Sequence, residues 1–483
     1  MKRGTALRVG AILLVCLLIV AGCSREVVST NTPDRTGSIA QASPSRAAPP
    51  AGGRPAGPRP AEERREPAEK YSIEQAVSDN AQLSTIAFNG LAFITGSAGA
   101  DTFMPPGKVA DFFGFQYMRD IDQNEHGHNT EFLTTVANNV LHILNDSQIA
   151  QLVALAKEQE SVYVGFAYNR FPLMSAFRAN MEGKIPSGSS GLSRDAVAAY
   201  VANLYELDAK LSARRADVVG RIISSLTPDQ KAYLAKMDFR NSATWPDIKE
   251  EPIDRRGLSH MADVAVMTYA SEMFSWYKGS VESDTYFCPE RHGTYFGGFY
   301  MKDYPAMGNP DYFISTSITG DSGQAFLQIL TPVQRVRITS IIDLQRGALK
   351  EIVEIRREVS VELRRAMQAE AIDQEKVFGL VRRYGELDGE VSYHYASRFA
   401  EVARTLSTEQ RAAVQKLRGL DVYPQGAYCY SSPVKTPAMP SLAPLFGIGA
   451  APTDFGRSAA PSGFGDDLDP RGLQGQGKRP ATK

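Results

Sequence analysis

The sequence predicts an all-α protein that contains two tandem copies of a helical-hairpin module. Apolar residues recur three or four positions apart over long stretches, as in 197–211, 336–367 and 377–402, with charged residues between them. Strand-like alternation is nearly absent, and one stretch of the chain recurs later with many identities. Because apolar residues at this spacing share one face of a helix, we expect long antiparallel helices joined by capped turns.

The N-terminus has the pattern of a secretory signal over residues 1–22. Lys2, Arg3 and Arg8 precede an apolar run, 9–20, which is shorter than the roughly 20 residues that a transmembrane helix needs. The run leads into Val-Ala-Gly-Cys23, which resembles the lipobox read by the lipoprotein signal peptidase. The resemblance implies cleavage before Cys23 and attachment of lipid to its thiol. The alternative is an ordinary secretory signal that ends near a cysteine.

The residue after the lipidated cysteine predicts the location of the protein. Lipoproteins with Asp at this position tend to remain in the inner membrane, whereas this chain has Ser24. We therefore expect a protein held in the outer membrane by its lipid and facing the periplasm. After the signal, no apolar stretch of the sequence is long enough to span a bilayer.

Charge and cysteine content restrict the possible partners and bonds. The 53 Lys and Arg residues nearly balance the 54 Asp and Glu residues, so no nucleic-acid partner is expected. If Cys16 leaves with the signal and Cys23 carries lipid, Cys288 and Cys429 remain. An oxidising periplasm favours a disulfide between them, and two free buried thiols are the alternative. The disulfide would close a loop of 141 residues (429 − 288), which the chain-entropy model values at roughly 4–5 kcal/mol.

Two flanking segments have the composition of disordered chain. Residues 23–70 and 431–483 are rich in Pro, Ala, Gly and Ser and lack apolar periodicity. We expect the first to be a tether that spans on the order of 35–40 Å as a flexible coil, and the second to be a disordered tail. The folded part is then 71–430.

An internal repeat divides this folded part into copies at 71–250 and 251–430. The segment 96–120 recurs 183 residues later as 279–303, with ten of 25 positions identical. Later segments align at nearby offsets: 206–208 matches 386–388 at an offset of 180. Repetition on this scale predicts a duplicated structural unit.

Three helix starts share the form Leu-Thr/Ser-x-x-Gln, and a fourth, with Asn in place of Thr or Ser, is a looser version of it. In each, the Thr, Ser or Asn is expected to cap the first turn, and the Gln three residues later to reach back to the backbone of the cap. Proline at the first helical position fits because no N–H is needed there. The motifs are Leu144 to Gln148, Leu226 to Gln230, Leu330 to Gln334 and Leu406 to Gln410.

These motifs resemble the LTxxQ motifs of the Spy/CpxP family of periplasmic proteins. The resemblance covers about half of each copy and implies a helical protein of the envelope stress response. Spy is a cradle-shaped dimer that holds unfolded clients without ATP, and relatives such as ZraP and CnrX bind metal ions. By this resemblance the tandem copies would act as a pseudo-dimer within one chain, and the partners would be unfolded or envelope proteins.

A client surface needs basic residues mixed with exposed apolar ones. Arg170 and Arg178 lie eight residues apart, so they share roughly one helical face, and Arg356 and Arg364 repeat them at an offset of 186. We predict that these arginines and their aromatic neighbours contact clients. The alternative is that the aromatic residues are core and the arginines form a solvated edge. The neighbours in copy one are Tyr163, Phe166, Tyr168, Phe171 and Phe177.

The repeated segment at 96–120 and 279–303 is a second candidate surface. Its matched Tyr117 and Tyr300 could dock a specific envelope partner. The alternative is that its aromatic side chains pack over helix ends, with glycines allowing tight turns.

A metal site and catalysis have weaker support. Asp122, His126 and His128 could hold a divalent ion, but copy two has no equivalent histidines, which favours a polar loop. The sequence contains no cofactor or catalytic motif, so we expect neither a cofactor nor an enzyme. Three functions follow as hypotheses: a chaperone-like envelope lipoprotein, a structural or assembly lipoprotein that docks a partner, and a metal-responsive periplasmic sensor.

Overall fold

The computed structural model describes part of the compact unit Lys70–Lys483. The described residues are 79–96, 108–109, 116–117, 131–237, 245–246, 248, 253–254, 257–279, 281, 320–417 and 437–450. Outside them lie the signal and tether with Cys23, the predicted disulfide partners Cys288 and Cys429, the metal candidates Asp122, His126 and His128, and Tyr300.

The described residues are predominantly helical, which confirms the predicted all-α class. The exception among them is a two-residue antiparallel ladder of β1 (Lys108–Val109) and β2 (Gln116–Tyr117). None of the described helices is both long and apolar enough to cross a bilayer. The helices are α1 (Asp79–Thr95), α2 (Glu131–Ile143), α3 (Asp146–Met181), α4 (Arg194–Ser224), α5 (Pro228–Lys236), α6 (His260–Lys278), α7 (Gly320–Ile329), α8 (Pro332–Thr339), α9 (Ile341–Arg364), α10 (Gln374–Thr405) and α11 (Thr408–Leu417), with 3-10 turns at Arg365–Gln368 and Ala443–Phe446.

All four predicted helix caps are confirmed. Asn145, Thr227 and Thr331 each accept a hydrogen bond from the backbone N–H of the glutamine three residues later, and each glutamine side chain accepts one from the cap N–H. Ser407 and Gln410 make the same pair of bonds at α11, at 3.2 and 3.0 Å. The leucine before each cap is buried, because it packs into the core at the helix start.

Two long helices, α4 of copy one and α10 of copy two, pack against each other in opposite directions. Gly385 faces Ala202, whereas Gly389, further along α10, faces Ala198, earlier in α4. A Cβ at Gly385 would lie 2.7 Å from the Cα of Ala202, and one at Gly389 would lie 2.6 Å from the Cα of Ala198. Glycine at these two positions therefore permits the close approach of the two backbones.

The first helix of each copy packs on the other copy. Helix α1 packs against α7, α8, α9 and α10, whereas α6 packs against α2, α3 and α4. The two helices are equivalent in the repeat, since they end at Thr95 and Lys278, 183 residues apart. The parts that pack together therefore differ from the sequence copies 71–250 and 251–430.

A hydrogen bond from a buried glutamine position of the host joins each exchanged helix to it. Gln345 on α9 donates to Gln82 on α1 at 2.9 Å, and Tyr269 on α6 donates to Gln159 on α3 at 2.7 Å. Gln159 and Gln345 are 186 residues apart, which is the offset found between the copies in this region. The host glutamines are therefore equivalent in the repeat, whereas their partners Gln82 and Tyr269 are not.

The expected disordered tail is wrong for residues 437–450. This segment contains the 3-10 turn Ala443–Phe446, and its Leu445 and Phe446 are buried against α3 and α4. Composition suggested disorder because Pro, Gly and Ser dominate the region, but buried Leu445 and Phe446 and hydrogen bonds from Ser189 and Ser193 attach this short piece to the helices.

Candidate functional site

The arginines predicted to contact clients lie inside the protein. Arg170, Arg356 and Arg178 are 0%, 1% and 7% exposed, and Arg364 is half-buried. The five neighbouring aromatic side chains of copy one are buried, as the alternative interpretation held. The prediction of an exposed client surface at these residues is therefore wrong for Arg170, Arg178 and Arg356. They are not a solvated edge either.

Aromatic rings contact three of these guanidinium groups. The guanidinium of Arg178 lies 4.5 Å from the ring centre of Phe93 on α1, and that of Arg364 lies 5.8 Å from the ring of Trp276 on α6. The two contacts are equivalent in the repeat, and the geometry is favourable for cation–π attraction. The guanidinium of Arg170 lies 5.3 Å from the ring of Phe166. The Arg178 and Arg364 contacts therefore join different helices, whereas the Arg170 contact lies within α3.

A buried polar cluster lies where α4 crosses α10. The Tyr205 hydroxyl donates to the Asp388 carboxylate at 3.2 Å. Burial, reinforced by the negative charge of Asp388, raises the pKa of Tyr205 well above its usual value. Burial raises the pKa of Tyr384 to about 12, although nearby Arg356 opposes the shift. The tyrosines therefore stay neutral at physiological pH, and the cluster is suited to fixing the crossing.

A buried ion pair connects α4 to the exchanged helix α6. Arg215 Nη1 lies 3.0 Å from Glu272 Oε2, and both side chains are almost fully buried. Arg215 also donates to the Tyr163 hydroxyl at 2.8 Å, and its guanidinium lies 4.5 Å from the ring centre of Tyr269. Sequence reasoning missed this pair, because the periodicity of the charges does not reveal which arginine faces the core.

The glutamines of the cap motifs also bond to each other, two per copy. In copy one, Gln230 donates to Gln148 Oε1 at 2.8 Å and to the carbonyl O of Ile143 at 2.7 Å. In copy two, Gln410 donates to Gln334 Oε1 at 2.8 Å and to the carbonyl O of Ile329 at 2.9 Å. Each pair joins two helix starts to the end of the preceding helix. We call these pairs the glutamine clasps.

The clearest apolar surface among the described residues lies beside the clasp of copy two. Val333 and Val336 on α8 are 72% and 65% exposed, and a spacing of three residues places them on one face of the helix. Two arginines flank them. Arg335 donates to the carbonyl O of Leu327 at 3.0 Å, and Arg337 forms an exposed ion pair with Glu401 at 2.9 Å.

Copy one lacks this apolar surface. Its equivalent positions, at an offset of 186, are Ser147 and Ala150, both of which are exposed. We call Val333, Val336 and the flanking Arg335 and Arg337 the α8 face. Sequence reasoning missed it, although the comparison of the two copies could have revealed it.

The remaining predicted site residues give no site among the described residues. Tyr117 lies in β2, but its side chain lies outside the described part, as does Tyr300. Within the described ranges no group of three or more His, Cys, Asp or Glu residues could hold a metal ion. The candidates Asp122, His126 and His128 fall outside those ranges.

Comparison with known proteins adds no relative. No protein-family model matches the chain, and no curated protein or solved structure matches it either.

Proposed function

We propose that this chain is a lipid-anchored protein of the bacterial cell envelope whose helical body binds apolar segments of other proteins weakly and transiently, as a chaperone does. The lipobox at Cys23 and the predicted tether support the anchored location. The observation that carries the binding role is the α8 face, where exposed apolar and basic side chains lie together beside a glutamine clasp.

The size of the α8 face favours weak binding over permanent docking. Fully burying a valine side chain contributes about 1.5–3 kcal/mol. Because Val333 and Val336 are already about one third buried, covering both contributes about 2–4 kcal/mol before the cost of association. A stable specific interface usually buries about 1,200–2,000 Å² in total. Two valines are too small an area for that, but they suit brief contacts with an unfolded chain.

Suppression of aggregation tests this function. The chain with Cys23→Ser, mixed near stoichiometrically with reduced α-lactalbumin, is expected to lower light scattering. Val333→Glu combined with Val336→Glu should remove most of this effect, because the substitutions place charge on the α8 face. A matched control combines Leu344→Glu with Val361→Glu on α9, whose native side chains are 40% and 49% exposed.

The outcomes separate the proposed function from the assembly hypothesis. If the unaltered chain does not lower scattering, the proposed chaperone-like role is wrong. Equal loss in the α8 and α9 variants would remove the α8 face as the binding surface. A specific envelope partner lost on combining Tyr117→Ala with Tyr300→Ala, without any effect on scattering, would instead support docking through the repeated segment.

A further inference from the structure

The connection between α3 and α4 is longer than its counterpart in copy two, and it holds the tail. The offset between the copies falls from 186 before this connection to 180 after it, so copy one has six more residues here. Gly183, Gly188 and Gly191 adopt positive φ angles of 73°, 89° and 151° in this connection. The extra residues form a turn against which 437–450 packs.

Three hydrogen-bond donors of the helical body bond to backbone carbonyls of the tail. The backbone N–H of Ser193 donates to the carbonyl O of Leu445 at 2.9 Å. Ser189 Oγ donates to the carbonyl O of Phe446 at 2.8 Å, and the Tyr168 hydroxyl donates to that of Ala438 at 3.0 Å. Backbone carbonyls are present in every peptide, so these three donors would accept other sequences.

Apolar anchors supply the selectivity. The side chains of Leu445 and Phe446 are 2% and 3% exposed, and the next residue, Gly447, has a φ of +78°. This left-handed backbone conformation is one that glycine adopts readily and other residues rarely do, so the turn favours glycine here. Backbone bonding combined with pockets for particular side chains is a common mode of peptide recognition.

Ser189, one of the three donors to the tail, has a second hydrogen-bond acceptor within the turn. Ser189 Oγ lies 2.8 Å from the carbonyl O of Gly191 as well as 2.8 Å from that of Phe446. One hydroxyl proton serves one acceptor at a time, so Ser189 keeps an internal acceptor when Phe446 leaves.

We propose that the turn 182–193 and the adjoining part of α3 form a peptide-binding site, which the tail segment 437–450 occupies in competition with other chains. Its ligands are peptides with two adjacent large apolar residues followed by glycine. The site includes none of the residues of the α8 face, and the proposal stands whether or not that face binds clients.

The tail should weaken the binding of a free peptide by a predictable factor. A segment tethered by a short linker has an effective concentration on the order of 1 mM, so a free peptide that binds at about 10 µM would bind the intact chain roughly 100-fold more weakly. Releasing the tail should restore the full affinity.

A peptide-binding experiment tests the proposal. The probe is a fluorescent synthetic peptide with the sequence of 437–450, added to the chain with Cys23→Ser. The release variant combines Leu445→Ser with Phe446→Ser. It should bind the peptide at least tenfold more tightly than the chain with the unaltered tail does. A peptide carrying serine at both anchor positions is the control and should not bind. Equal binding to both chains, or no binding to a folded release variant, would overturn the proposal.

A second measurement needs no substitution in the tail. Hydrogen exchange of the amides of 437–450, read by mass spectrometry with an isotopically distinct peptide, should accelerate when excess peptide displaces the tail. If the release variant fails to fold, this measurement decides the question. Unchanged exchange at saturating peptide would show that the tail is a fixed part of the fold.

Discussion

Each cap glutamine does two things, and only one of them can be predicted from sequence. The bond from the cap backbone to the side chain of the glutamine three residues later follows from local spacing, and it is present at all four motifs. The bond between Gln148 and Gln230 joins residues 82 positions apart, and that between Gln334 and Gln410 joins residues 76 apart. Such distant pairing depends on how the helices pack, which spacing alone does not specify.

Two adjacent arginines show the same limit. Arg214 and Arg215 follow one another in α4, yet Arg214 bonds to exposed Glu158 at 2.9 Å whereas Arg215 pairs with buried Glu272. Either arginine could have been assigned to the solvated face from the pattern alone. The choice depends on where α6 packs, and α6 belongs to the other copy.

The two positions are expected to respond very differently to the same substitution. Arg215→Met leaves Glu272 buried without its cation and should lower the free energy of unfolding by about 3–5 kcal/mol. Arg214→Met removes exposed ion pairs with Glu158 and Asp217 and should cost about 0–1 kcal/mol. Urea unfolding followed by circular dichroism measures both. Equal losses would contradict the assigned burial of Arg215.

At the scale of the elements, sequence periodicity was sufficient for the helices and insufficient for their contacts. The segments 197–211 and 377–402 lie inside α4 and α10 as predicted, whereas 336–367 is interrupted at Ser340 between α8 and α9. Amphipathic spacing shows that a face is buried but not which helix covers it. The tail is the opposite case, because its composition concealed two anchor residues.

Glycine substitutions in α10 test the crossing of α4 and α10. Gly385→Ala places a methyl group 2.7 Å from the Cα of Ala202, so it should destabilise the protein by about 1–3 kcal/mol through overpacking. Gly379→Ala in the same helix meets no atom within 4 Å and should stabilise it by about 0.5–1 kcal/mol, since alanine favours helix. Thermal unfolding shows whether each substitution raises or lowers the melting temperature. Stabilisation by both substitutions would mean that α4 and α10 do not approach so closely.

At the scale of the whole unit, the exchange of α1 and α6 makes the two copies depend on each other. The buried pair of Arg215 and Glu272 and the bond between Gln82 and Gln345 both cross from one copy to the other. The resemblance to a dimeric family led us to expect a pseudo-dimer, and the exchange gives that hypothesis specific contacts. The repeat alone could not predict it, because sequential packing and exchanged packing share one sequence pattern.

Distances between spin labels test this exchange most directly. Asp79 at the start of α1 lies 2.8 Å from Arg346 of α9, and Glu160 is the residue of α3 equivalent to Arg346 at an offset of 186. Label pairs at 79 and 346 and at 79 and 160 are introduced as cysteines, with Cys23, Cys288 and Cys429 replaced by serine. Dilution with unlabelled chain excludes distances between molecules.

We expect a short distance, roughly 20 Å or less, between labels at 79 and 346, since packed helix axes lie about 8–10 Å apart. We expect a longer distance between labels at 79 and 160. A short distance for 79 with 160 and a long one for 79 with 346 would show that each copy keeps its own first helix, and would contradict the exchange.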